Sequence, residues 1–157
     1  MSLEKVKAYF AAFGMTDRIR ELTGSSATVA LAAAALGCEE CRIAKTLSFI
    51  MGDSAILLVA AGDTKIDNVK FREAFGTRPH MLPAERVEPL IGHDVGGVCP
   101  FAVREGIDTY LDESLRRFDA VYPGAGSDNS MIFLTIRELE EHSRAKGWVD
   151  VCKRKDG

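Results

Sequence analysis

The sequence predicts a single domain of the α+β (mixed α/β) class, with helices packed around a twisted, barrel-like mixed sheet. Three observations predict it. Helical and strand periods interleave along the chain. Two adjacent apolar segments are joined by a tight turn at Gly52 and Asp53, and strand–helix–strand repeats are few. A doubly wound parallel sheet would need those repeats and could not use a hairpin.

The elements follow from local signals. Residues 2–13 read as an amphipathic helix, with Leu3, Val6, Phe10 and Phe13 on one stripe and Gly14 stopping it. A short strand is expected over 18–22. Ser25 and Ser26 offer N-cap oxygens to an alanine-rich helix over 28–36, which Gly37 ends. Residues 43–50 and 54–61 form the hairpin. Its second strand is apolar at consecutive positions, so both faces should be covered. Asp67 caps a helix to Phe75, and 85–91 forms another, closed by Gly92. Residues 109–111, 120–122 and 131–134 read as further strands. Thr135 and Glu138 make a capping box for a helix to Lys146, and 149–151 adds an edge strand.

Composition narrows the class. The 157 residues carry a net charge of −3, 46% hydrophobic and 27% charged residues, which suits a soluble globular domain. There is no apolar run of membrane-spanning length and no signal-peptide layout, so the expected location is the cytoplasm, with no membrane partner. The charge argues against gripping long nucleic acid by its phosphates but permits contact with the end of an RNA. Lys65, Lys70, Arg72 and Arg78 give one region a positive bias that the net charge hides: a solvated face, or a place to meet a few phosphates.

Lys45 is the most informative residue. By the two-residue period it shares a strand face with Ile43, Leu47 and Phe49. A lysine in a core-facing row needs a partner for its ammonium. Either it projects into a cleft to hold an anionic or carbonyl oxygen, or it snorkels past the strand end, or a bulge flips the parity. The segment GHDVGGVCPFA concentrates Gly92, His93, Gly96, Gly97, Cys99 and Pro100. Successive bare amides there can form a nest for a carboxylate, phosphate or oxyanion, against the plainer reading of a tight loop. A second glycine loop, Tyr122 to Ser127, follows a predicted strand. Cys99 beside His93 invites a nucleophile, although a cysteine between Val98 and Pro100 is more often a packed side chain. Cys38 and Cys41 have zinc or redox spacing but lack a second ligand pair.

Four ordered segments, SSATVALAAAALG, IAKTLSF, GHDVGGVCPFA and YPGAGSDNS, resemble the YbaK/ProX (EbsC) family of aminoacyl-tRNA deacylases, related to the editing domain of bacterial prolyl-tRNA synthetase. The resemblance implies one editing domain over 1–157 that needs no cofactor. Its activity would be trans-editing hydrolysis of mischarged aminoacyl-tRNA, with tRNA for proline carrying cysteine, alanine or a similar small residue as the expected substrate. It implies the tRNA 3′ end as partner, with prolyl-tRNA synthetase a further candidate. Lys45 matches the family's essential lysine, Gly96, Gly97 and Pro100 its glycine–proline loop, and Gly124 and Gly126 its second glycine loop, with Lys45, Gly96 and Gly97 the expected catalytic residues. Thr46, His93, Cys99, Pro100, Gly124, Gly126 and Ser127 are the expected substrate contacts. Cys99 stands where relatives commonly have serine, and Ser127 and Asp128 where many carry basic residues. A non-catalytic module of the same fold, sensing aminoacyl-tRNA or a free amino acid, is the competing expectation.

Overall fold

The computed structural model describes residues 2–24 and 28–155. In chain order the elements are α1 (Ser2–Ala11), β1 (Ile19–Glu21), α2 (Val29–Leu36), β2 (Ile43–Met51), β3 (Ser54–Ala61) and β4 (Thr64–Ile66). Then come α3 (Asn68–Phe75), α4 (Ala84–Ile91), β5 (Asp108–Asp112), β6 (Ala120–Pro123) and β7 (Ser130–Ile132). β8 (Leu134–Thr135), α5 (Ile136–His142), β9 (Gly147–Val149) and β10 (Cys152–Arg154) complete the order.

Six strands form one sheet in the order β8-β6-β2-β3-β5-β9. The β2–β3 and β6–β8 pairs are antiparallel, and β2–β6, β3–β5 and β5–β9 are parallel. The sheet is therefore mixed, and it curls into a half-barrel. Two ribbons, β1–β7 and β4–β10, attach to it.

β3 is the hub. All of its residues after Ser54 are buried, so its continuous apolar run is covered on both faces as its sequence requires. On one face Val59 and Ala61 join Val6, Phe10, Leu111, Leu134 and Leu139, which brings α1 and α5 onto the sheet. On the other, Ile56, Leu58 and Ala60 pack with Phe49, Phe71 and Val151 under α3.

Local signals set several boundaries. Asp67 accepts from the Val69 and Lys70 amides at the start of α3, and the capping box at Thr135 and Glu138 is fully made. α2 is capped by Thr28, whose side chain accepts from the Leu31 amide; Ser25 and Ser26, the expected caps, lie outside the described residues. The expected strand over 131–134 is divided: β7 pairs with β1, whereas β8 pairs with β6. α1 stops at Ala11, leaving Phe13 exposed, and α5 stops at His142, four residues short of the expected Lys146. Arg144 adopts a positive φ of 53°, which a continuing helix cannot accommodate.

Candidate functional site

The site begins as an interruption along one edge of β2. At its start, Ile43 and Ala44 pair with Tyr122 and Pro123 of β6. Near its end, the Leu82 amide donates to the Ser48 carbonyl (3.0 Å) and the Ile50 amide to the His80 carbonyl (2.8 Å). Ser48 and Ile50 thus turn their polar groups to this edge, while the Ile43 carbonyl accepts from Gly62 on the β3 side. By alternation, Thr46 also faces the edge, and among the described residues no strand pairs with it there. Its side-chain Oγ1 is buried with no hydrogen-bond partner.

A cleft of about 490 Å³ opens at this interruption. Lys45, Thr46, Gly96, Gly124 and Ser127 all line it, so the lysine strand and both glycine loops converge on one space. Val29, Ile43, Leu47, Val98 and Met131 supply apolar surface. Sequence reasoning missed these residues as site residues. Met131 carried a partial signal, an apolar position at the start of a predicted strand directly after the second glycine loop.

Lys45 resolves the parity question. Its strand row runs with Leu47 and Phe49, opposite Ala60, Leu58 and Ile56 of β3. The side chain lines the cleft, but its ammonium donates to the Thr64 carbonyl of β4. The unbroken register with β3 excludes the bulge: Lys45 borders a cleft, and its charge has a backbone partner. Burial lowers its pKa from the ordinary 10.5, and the nearby Lys155 ammonium lowers it further.

The glycines divide by role. Gly96 lines the cleft and sits in the first turn of a 3₁₀ segment, Val95–Gly97, where its amide has no acceptor inside the turn. The Gly97 amide is already committed to the Asp94 carbonyl at 2.8 Å. Gly97 packs behind the wall, where a β-carbon would come within 2.3 Å of the Gly126 carbonyl oxygen. Gly126 in turn has φ +103°, with the Ser2 carbonyl of α1 2.7 Å from its hypothetical β-carbon. Neither Gly97 nor Gly126 lines the cleft. Both line a neighbouring groove with Ser2, Glu4 and Asp94.

The second loop is held by its own side chains. Ser127 Oγ bonds Asn129 Oδ1 (2.8 Å) and Ser130 Oγ (2.7 Å), and Asn129 Nδ2 donates to the Leu22 carbonyl (3.1 Å). The Ala125 amide donates to the Ser130 carbonyl at 3.1 Å.

His93, Cys99 and Pro100 lie elsewhere. All three are buried and none lines the cleft. His93 Nε2 is 2.6 Å from the Phe101 carbonyl, so Nε2 carries the proton, and Nδ1 is buried without a partner. Burial pulls this imidazole below its ordinary 6.5. Cys99 Sγ is 3.6 Å from Nε2 and donates weakly to the same carbonyl; burial pushes its thiol to about 12. A thiol held protonated beside a nitrogen that already donates is not an activated nucleophile. Cys38 and Cys41 are unbridged and half-buried, and no metal-binding cluster occurs among the described residues. No described helix is long and apolar enough to cross a membrane.

Comparison with known proteins gives the chain's relatives and its fold. An uncharacterized protein of Bacillus subtilis, YwhH, is 49% identical over 154 residues, covering 98% of each chain. A proline–tRNA ligase of Halalkalibacterium halodurans is 29% identical over 122 residues, which are 76% of this chain and 21% of the ligase. Among solved structures, a proposed trans-editing enzyme for prolyl tRNA synthetase superposes with a TM-score of 0.85 at 27% identity, covering 97% of each chain. The hypothetical protein APE2540 gives 0.82 at 33% identity, over 95% of this chain and 99% of that one. The model of the aminoacyl-tRNA editing domain matches residues 23–142, the span that holds β2, both glycine loops and the cleft between them, and the chain belongs to that family.

Proposed function

We propose that the chain acts as a single, trans-acting editing domain, a deacylase that hydrolyses the ester joining a wrong amino acid to the 3′ end of tRNA. The proposed substrate is tRNA for proline carrying alanine, cysteine or a similar small residue. One observation carries the reading: Lys45, Thr46, Gly96, Gly124 and Ser127, from three separate stretches, line one cleft in a member of the editing family. Similarity to a proline–tRNA ligase and to a proposed trans-editing enzyme supports the prolyl system.

The chemistry asks little of the protein. An aminoacyl ester is already labile, so the site must orient it, admit the right side chain and stabilise an oxyanion. The apolar wall of Val29, Ile43, Leu47, Val98 and Met131 suits a small side chain. Such pockets discriminate by about 10–200-fold per methylene, the range in which synthetases need a second sieve. In the proposed reaction the Lys45 ammonium exchanges the Thr64 carbonyl for the carbonyl or terminal phosphate oxygen of the substrate. The Gly96 amide receives the developing negative charge, a contribution of roughly 3–4 kcal/mol for one well-placed donor. Gly97 supports this loop by packing and contributes no amide. Water attacks the acyl carbon, the ester C–O bond breaks, and the proton from water goes to the leaving ribose oxygen.

The test is a panel of alanyl-, cysteinyl-, seryl- and threonyl-tRNA incubated with the protein. Loss of the ester from the alanyl or cysteinyl form is the expected result. Binding of all four with every ester intact would replace the enzyme with a sensing module.

A further inference from the structure

Two grooves near the cleft differ in charge. Beside α1, the neighbouring groove shares Gly96, Ser127 and Asp128 with the cleft and adds Glu4 and Asp94. A separate groove of about 700 Å³ beside α3 is lined by Arg72 and Arg78, together with His80 and a single acid, Glu73. Among the described residues neither arginine enters an ion pair. Lys70, from the same basic stretch of sequence, is by contrast bound to Asp150 and the Cys152 carbonyl.

The basic groove is tied to the cleft by β2. The His80 and Leu82 backbone pairs with Ile50 and Ser48, and the cleft begins at Leu47 on the same strand. Leu47 to Ile50 spans about 10 Å at 3.3 Å per residue. An anionic strand whose acylated end sits in the cleft meets carboxylates in the groove beside α1 and guanidiniums outside any ion pair in the groove beside α3. Fork-shaped donors of this kind suit phosphate oxygens.

We infer that the groove between α3 and the 78–80 segment, through Arg72 and Arg78, receives phosphates of the acceptor strand of the tRNA, so that the RNA leaves the cleft toward α3 and away from α1. This assignment rests on the deacylase reading for the identity of the RNA. It adds a surface, a direction and two contact residues in a chain of negative net charge.

The test is fluorescence anisotropy with labelled, uncharged tRNA for proline, read as log affinity against log salt. R72Q/R78Q removes two phosphate contacts and should lower the magnitude of the slope by about 1.4–1.8, at 0.7–0.9 per phosphate. Arg78→Gln alone, outside any helix or strand, should lower it by about half as much. Glu4→Gln, on the opposite side, should leave it unchanged. Equal slopes and affinities for R72Q/R78Q and the parent protein would overturn the inference. Arginine-dependent binding without any ester loss from mischarged tRNA upholds the groove and removes the deacylase. Ester loss with KM unchanged in R72Q/R78Q does the reverse.

Discussion

Gly97 and Gly126 meet backbone to backbone: a β-carbon on Gly97 would stand 2.3 Å from the Gly126 carbonyl oxygen and 2.7 Å from its carbon. Two loops distant in sequence are thereby locked together beside the cleft, and α1 closes over them through Ser2 and Val6, both within 3 Å of a β-carbon placed on Gly126. Glycine here serves close approach of main chain to main chain.

Gly97→Ala is expected to cost about 1–3 kcal/mol, the range for forcing an extra carbon into a packed contact, and to lower Tm by about 2–4 °C per kcal/mol. Gly96→Ala places its methyl 3.5 Å from the Asp128 side chain, an ordinary contact, and should leave Tm in place. Thermal melts of the two variants check the contrast. Equal melting temperatures would show that the wall yields freely.

Lys45 contributes both a stem against the cleft and an ammonium on the Thr64 carbonyl. Lys45→Met keeps most of the stem and discards the charge. Deacylation should fall about 10²–10³-fold in kcat, the scale for losing one preorganised donor at a developing oxyanion, with the circular dichroism spectrum unchanged. Single-turnover rates on mischarged tRNA decide it. Turnover equal to the parent would leave Lys45 a structural lysine.

The buried His93 predicts an acid-sensitive fold. Its folded pKa lies below the ordinary 6.5, so the unfolded chain binds more protons between those two values. Stability therefore rises with pH across that window, is fully present above about 6.5, and falls on acidification by up to about 1.4 kcal/mol per pH unit. The lowered carboxylates Asp63, Asp67 and Glu138 act from 3.8–4.5 downward, leaving the interval from 6.5 to 5 to the imidazole. Urea titrations at pH 7.5 and 5.5 should separate clearly in the parent protein and converge in His93→Gln.

Cys99 should be dispensable for chemistry. With its thiol buried and pushed to about 12, native protein is expected to resist iodoacetamide at this position while Cys38 and Cys41 react. Cys99→Ser should retain deacylation. A large loss of kcat with an unaltered melting curve would return this residue to the reaction.

Sequence resolved what short-range signals encode. The turn at Gly52 and Asp53, the Asp67 cap and the Thr135 box each act within four residues, and each element begins where it was expected. The parity of Lys45 was legible for the same reason. Its ammonium partner was not, because Thr64 belongs to β4, a strand completed by β10 from the far end of the chain, and residues 62–67 alone read as a connection. The cleft-lining glycine and the packing glycine are adjacent in one motif. Only the approach of the second loop separates Gly96 from Gly97. His93 and Cys99 looked chemical because they are neighbours in a glycine-rich stretch; in the fold both are fully buried and face the Phe101 carbonyl.

The interruption at Thr46 has a consequence for solubility as well as for chemistry. An open sheet margin normally invites another polypeptide to zip onto it, the first step of self-association. Here β6 occupies one side of the vacancy and the 80–82 segment the other, leaving residues 45–47, about 10 Å of main chain, without a strand partner on this edge among the described residues. That is too short for a foreign strand to take hold, so the fold can leave a short stretch of this edge unpaired without exposing itself to aggregation.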